Sequence, residues 1–375
     1  MLAVMALSKR ICLNKSKQLI IIFILLFNVI SLVSLESLGT PYRLINSDHL
    51  QINRLSDEYI TYLRGNVHFF YDDIEFKADK AEIYEIQQYV KMTGNVIAIQ
   101  DTLSINCHEA QYYHLKEFLR VQGNVLITET GTMHTYKEVK ANVGEYDRLN
   151  GMFTLKGNIK AWAREDSLHA TAGFATYDLN TGYGYMIQKP IIWKAGQDSI
   201  SLSAEKIEFY NDIQKIVASF DVVTKNKELK ATSNFLIYYG TEEKLVYIGN
   251  PKVFSNFGDA KADLITAYLK EKQIDRVEFD NNCLVYFNTK ENEKKENMVK
   301  SSQMKLFYEN GKPIKFNADN NVETYFVQNS TKKQTAMNNR VFSNKLRLTF
   351  DDEMQINTIK LDTVTKGKYR FERKD

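Results

Sequence analysis

Arg64-Gly65-Asn66-Val67-His68-Phe69, followed by Lys77-Ala78-Asp79-Lys80-Ala81-Glu82-Ile83-Tyr84, holds two phrases that the chain repeats in fixed order. The first, Gly-Asn-Val, returns at Gly94-Asn95-Val96, Gly123-Asn124-Val125 and Gly157-Asn158-Ile159, at intervals of 29, 29 and 34 residues. Weaker copies stand at Lys189-Pro190-Ile191, Phe220-Asp221-Val222, Gly249-Asn250-Pro251, Asn281-Asn282-Cys283 and Asn320-Asn321-Val322. The second phrase lies between them: Ala78-x-x-Ala81, Cys107-x-x-Ala110, Ala141-x-x-Gly144 and Ala172-x-x-Ala175, with looser copies as far as Leu346–Phe350. Self-similarity at a fixed period of this size marks a repeat architecture.

Within each unit the apolar residues alternate. Val67 and Phe69, then Ile74, Phe76 and Ala78, stand two apart, with His68, Glu75 and Lys77 between them. Period two is the mark of a half-buried strand. Glycine and asparagine tolerate positive φ, so the Gly-Asn pair is expected to form a tight turn. Aspartates such as Asp72-Asp73, Asp101, Asp166 and Asp198 are expected to mark a second turn. Each unit then reads strand, turn, strand, turn, with strands of about nine residues. The expected fold is all-β: an elongated β-jellyroll or solenoid of stacked hairpins, with a period of about 29–34 residues. The 22 Tyr and 21 Phe suit pleated surfaces, and only 4 Pro interrupt them.

Residues 1–39 stand apart. Four cations (Lys9, Arg10, Lys15, Lys17) precede the apolar run Leu19–Leu35. That is the layout of a secretory signal, and 17 apolar residues also approach a membrane span. Both a signal cut before Thr40 and an uncleaved inner-membrane anchor fit, and both export the rest of the chain. The remaining organisation is expected as repeats over 40–288, a charged solvated loop with a mild boundary over 289–302 (TKENEKKENMVKSS), and divergent repeats over 303–375. Cys107 and Cys283 fall in corresponding contexts and read as two buried thiols or as a disulfide.

The net charge of +3 comes from the N-terminus; the rest is balanced, with no basic stripe to neutralise phosphates, so no nucleic acid is expected as a partner. No glycine-rich phosphate loop, G-x-S-x-G or H-E-x-x-H occurs, and the six histidines lack zinc-ligand spacing. Neither catalytic residues, metal ligands nor a cofactor is expected. Function then rests on shape. An apolar strip along stacked hairpins suits a lipid, and unpaired strand edges suit β-augmentation.

The alternation of Gly-Asn-Val with Lys77–Tyr84 resembles the OstA/LptA family of lipopolysaccharide-transport proteins, well over residues 60–270 and loosely beyond. The resemblance implies a β-jellyroll, single or double, whose interior carries the lipid A acyl chains of lipopolysaccharide. It implies a non-catalytic periplasmic bridge built end to end with other Lpt-type jellyrolls, tethered to the inner membrane if residues 19–35 are retained. By position, the interior-facing lipid-binding candidates are Val67, Phe69, Phe76, Ile83, Val96, Ile105, Val125, Ile127 and Ile159. The competing readings are a structural or adhesive envelope repeat that binds protein or glycan, and a carbohydrate-active enzyme on a β-solenoid.

Overall fold

In the computed structural model the chain reverses at Asp72-Asp73, again over 85–88, and again at Asp101-Thr102. Between reversals run the strands Glu58–Tyr71, Ile74–Tyr84, Tyr89–Gln100 and Leu103–Tyr113, each antiparallel to its neighbours in sequence. The structure describes residues 42–371 except 131–135, 165–166, 197–198, 228, 256–257, 271–272, 290–291, 311, 329–336 and 352–355. The apolar run Leu19–Leu35 lies outside the described residues. Among the described residues there are twenty-six strands and a single short 3-10 turn, His114–Lys116. No helix among them is long and apolar enough to cross a membrane.

The Gly-Asn pairs are not the turns that end strands. They sit in the middle of long ones. Gly65 (φ 74°) and Asn66 (φ 46°) interrupt Glu58–Tyr71, and Gly94 (φ 77°) and Asn95 (φ 45°) interrupt Tyr89–Gln100. Pairing runs Arg64 with Lys80, then Val67 with Ala78, so Gly65 and Asn66 together face Asp79 alone. This is a bulge, which bends a strand and increases its twist. It explains the spacing of both phrases. On the bulged strand the buried residues Leu63 and Val67 are four apart; on the facing strand Ala78 and Ala81 are three apart. The Ala-x-x-Ala phrase is the place where a strand changes which parity points inward.

Side chains hold the corner. Asn95 Nδ2 donates to Asp79 Oδ2 at 3.0 Å, and Asn66 Nδ2 donates to Asp48 Oδ2 at 3.0 Å. At Gly94 a side chain would crowd this pairing, because a Cβ there would lie 2.3 Å from Asp79 Oδ2. With corners inside them, strands run to 11–14 residues rather than nine, and the 29-residue period is two bent strands with their reversals.

The strands group into two compact units. The first comprises 42–193 with Lys206–Asp212; the second comprises Lys194–Glu205 with 213–371. The second unit keeps the corner but rarely the glycine: Phe220 (φ 62°) with Asp221, Asn281 (φ 58°) with Asn282, and Asn320 (φ 64°) with Asn321. Its register breaks the same way, Asp280 with Gln303 and then Cys283 with Ser301. Serine replaces alanine at the inward slip, and there Ser233 Oγ donates to the Phe235 carbonyl and Ser301 Oγ to the Gln303 carbonyl, each at 2.8 Å.

Two expectations need correction. Residues 289–302 do not form a loop: Thr289 ends the strand Gln273–Thr289 and Asn292 begins the strand Asn292–Glu309. The reason is alternation carried by polar residues. Asn297, Val299 and Ser301 are buried at period two, with Val299 paired to Val285, although the composition is that of a solvated segment. Nor does a boundary fall there, since the segment lies inside the second unit. Cys107 and Cys283 are both buried and free, so the disulfide alternative drops out.

Candidate functional site

The interior of the first unit is built by the two arms that each corner creates. On the arm beyond the bulge, a cross-strand row runs through Phe69, Phe76, Ala98, Ile105, Ile127 and Val139. On the arm before it, a row runs through Leu63, Ala81, Met92, Ala110, Val121 and Gly144. Period two keeps each row on one face, and every residue of both rows is buried. The arms meet through aromatic rings: Phe76 and Tyr112 have centroids 5.8 Å apart, and Tyr71 meets Tyr112 edge-on at 5.3 Å.

All nine residues singled out from the sequence are buried here. Eight of them, Val67, Phe69, Phe76, Val96, Ile105, Val125, Ile127 and Ile159, lie on the arm beyond the corner. There Phe69 stacks on Phe76 at 5.4 Å, and Ile105 pairs directly with Ile127. Ile83 lies on the other arm, paired with Val90. The facing arm supplies residues that sequence reasoning left out, among them Leu63, Met92, Tyr112 and Phe153. Their signal was available: Leu63 stands four before Val67, across the corner.

A rim of charge was not foreseen. The reversal at Asp72-Asp73 meets the reversals of the other arm, where His114 Nδ1 lies 3.1 Å from Asp72 Oδ2 and Arg148 Nη1 lies 3.6 Å from Asp73 Oδ1. Arg148 also reaches Glu117 at 3.3 Å, and Gln100 donates to Asp73 at 2.6 Å. Beneath this rim lies a cavity of about 40 Å³ whose wall includes Gln100, Glu117, Arg148, Tyr112, Tyr146 and Phe153. Because the rim charges are partly solvated, they bind the arms weakly. No sequence pattern announces pairs formed between reversals 42 and 75 residues apart.

The titratable groups inside are silenced rather than activated. Burial pushes the Cys107 and Cys283 thiols up to about 12, and burial with Asp72 nearby pushes the Tyr71 hydroxyl up to about 12. Burial likewise raises Tyr112 and Tyr308. A thiol that stays protonated is a poor nucleophile. The buried rows therefore offer apolar contact. Among the described residues no cluster of histidine, cysteine and carboxylate side chains could hold a metal ion.

Compared with known families, residues 44–215 match the model of the LptA/(LptD N-terminal domain) LPS transport protein family. Over residues 44–215 the chain is similar to that family. The matched stretch takes in nearly all of the first unit, and the family is one of lipopolysaccharide-transport proteins. The fold is all-β and antiparallel, in keeping with an LptA-like jellyroll. Among solved structures, the chain is similar to LptH, the LptA-homologous periplasmic component of the lipopolysaccharide transport device of Pseudomonas aeruginosa. That similarity is 13% identity with a TM-score of 0.28, over 31% of this chain and 82% of LptH. No curated protein matches the sequence.

Proposed function

We propose that the chain is an exported, non-catalytic lipid-binding component of lipopolysaccharide transport to the outer membrane, working in the periplasm. The observation that carries this reading is the pair of facing apolar rows in the unit that matches the transport family. An acyl chain placed between the rows would exchange water for branched aliphatic and aromatic contact, worth about 0.8 kcal/mol for each methylene buried. The nine interior residues named above are the positions it would touch in this unit, once the arms part at their weak ionic rim.

The partners fitted by this reading are lipopolysaccharide, through its lipid A chains, and other Lpt-type jellyrolls. Support for the second comes from the strand edges. His49–Leu55 pairs with Glu58–Tyr71 on one side and with no other strand among the described residues, and it exposes Leu50, Ile52 and Leu55. Edges of this kind accept a further strand.

Depleting the protein in the organism that makes it tests the reading. Surface lipopolysaccharide is expected to fall while the precursor accumulates on the inner side. Unchanged surface lipopolysaccharide would contradict the proposal and favour an adhesive repeat.

A further inference from the structure

The two units differ in what their interiors leave empty. In the first, aromatic pairs fill part of the interior, including Tyr146 on its cross-strand partner Phe153 at 3.9 Å, and the void of about 40 Å³ has charged side chains in its wall. In the second, a cavity of about 60 Å³ opens among Val277, Phe279, Phe287, Leu306 and Phe316. Its void traces to small residues on its other sides: Ala231, Ala260 and Ala267 each pair with a valine across the strand.

Of the residues lining this cavity only Asp259 carries a charge, and the Tyr247 hydroxyl is engaged by Thr224 Oγ1 at 3.4 Å. A void of this size has room for several waters, at about 10–15 Å³ each by the same measure. A water also needs two to four polar partners, which this wall does not supply. Apolar cavities of this kind stay dry and take apolar guests.

We infer that the second unit, in a part beyond the family-matching segment, holds the seat for the methyl end of an acyl chain, in the cavity ringed by Phe279, Phe287, Leu306 and Phe316. This rests on the lipid reading proposed above and moves the resting seat away from the nine first-unit positions. The cavity accepts only the end of a chain. The remainder of the lipid requires the walls to part, as a passage rather than a closed box would.

The test uses the purified full chain and cis-parinaric acid, a fatty acid that fluoresces when it leaves water. Saturable binding is expected, and Ala267→Leu, which fills the cavity, is expected to weaken it about tenfold or more. Leu149→Ser, at an exposed reversal of the first unit, is expected to leave it nearly unchanged. Thermal unfolding checks that both variants fold. A diazirine-bearing palmitic acid needs no variant: its adducts should map to peptides within 229–316. Adducts confined to the first unit, or binding kept in Ala267→Leu, would overturn the inference while sparing the lipid reading. No saturable binding by the unaltered chain would overturn both.

Discussion

The first unit builds most of its corners with glycine, though one is Gln188-Lys189, and packs its interior with stacked rings; the second keeps glycine at Gly249, builds other corners with Phe220, Asn281 and Asn320, and leaves an apolar cavity. The difference teaches that the corner, not the glycine, is what the repeat conserves in space. An asparagine reaches the left-handed region at modest cost, so the bulge survives once its partner strand keeps the three-residue slip. The family model follows the glycine-bearing unit and stops at residue 215, near the point where the corner residues change. The second unit is thus the same device written in other letters, with serine hydroxyls closing the carbonyls that the slip leaves open.

The largest expected effect comes from forcing one unit's corner chemistry to fail. Gly94→Val places a branched side chain at φ 77° and against Asp79, and should cost about 3 kcal/mol or more in chemical denaturation. Its counterpart, Asn281→Gly, should cost nothing and gain up to about 0.5 kcal/mol. If the two substitutions behave alike, the corner account is wrong.

Overpacking separates the interiors next. Ala110→Leu, at a position with 0% exposure that lines neither cavity described above, should destabilise by about 1–3 kcal/mol. Ala267→Leu, on the cavity wall of the second unit, should stay within about 1 kcal/mol of the unaltered chain. Equal losses in Tm would mean the cavity is not available volume.

The rim of the first unit should matter little to stability. Arg148→Ala is expected to cost less than about 1 kcal/mol, because its carboxylate partners stay solvated, yet it should speed entry of a fluorescent lipid. A loss several times larger would make the rim a structural clamp.

Smallest is an acid effect shared by both units. Burial pushes Glu208 up, but hydrogen bonds from Lys206 and Tyr183 outweigh it; for Glu278, burial is outweighed by Lys305 and Arg276. Both carboxyls end below the usual range. Their stabilisation is present above the unfolded-state pKa and is lost as pH falls through the lowered value. Glu208→Gln and Glu278→Gln should therefore lower Tm at neutral pH and flatten its decline towards acid. A decline as steep as before would remove these pairs from the account.

Much of this was legible in the sequence, for a physical reason. Alternation at period two is enforced by burial on one face, and so it shows at Phe69, Phe76 and Ile105 before any coordinates. The Gly-Asn phrase was equally visible, but the same positive φ serves a hairpin turn and a mid-strand bulge, and only the register of Arg64 and Val67 against Lys80 and Ala78 tells them apart. The strand at Asn292–Glu309 was hidden because its inward positions are filled by Asn297 and Ser301, polar residues satisfied by hydrogen bonds: Asn297 Oδ1 accepts from the Val327 N–H of another strand, and Ser301 Oγ donates to the Gln303 carbonyl. The rim ion pairs and the second unit's cavity were not legible at all. They depend on which reversals and which alanines come together in three dimensions.

The central claim is that a lipid occupies the interior, and photocrosslinking in living cells tests it most directly. With a photoreactive amino acid at Phe69, Ile105 or Phe279, and at exposed Leu149 as a control, the account predicts a lipopolysaccharide adduct from interior positions, strongest at Phe279, and none from Leu149. An absence of adduct from every interior position, with the protein produced and folded, would contradict it.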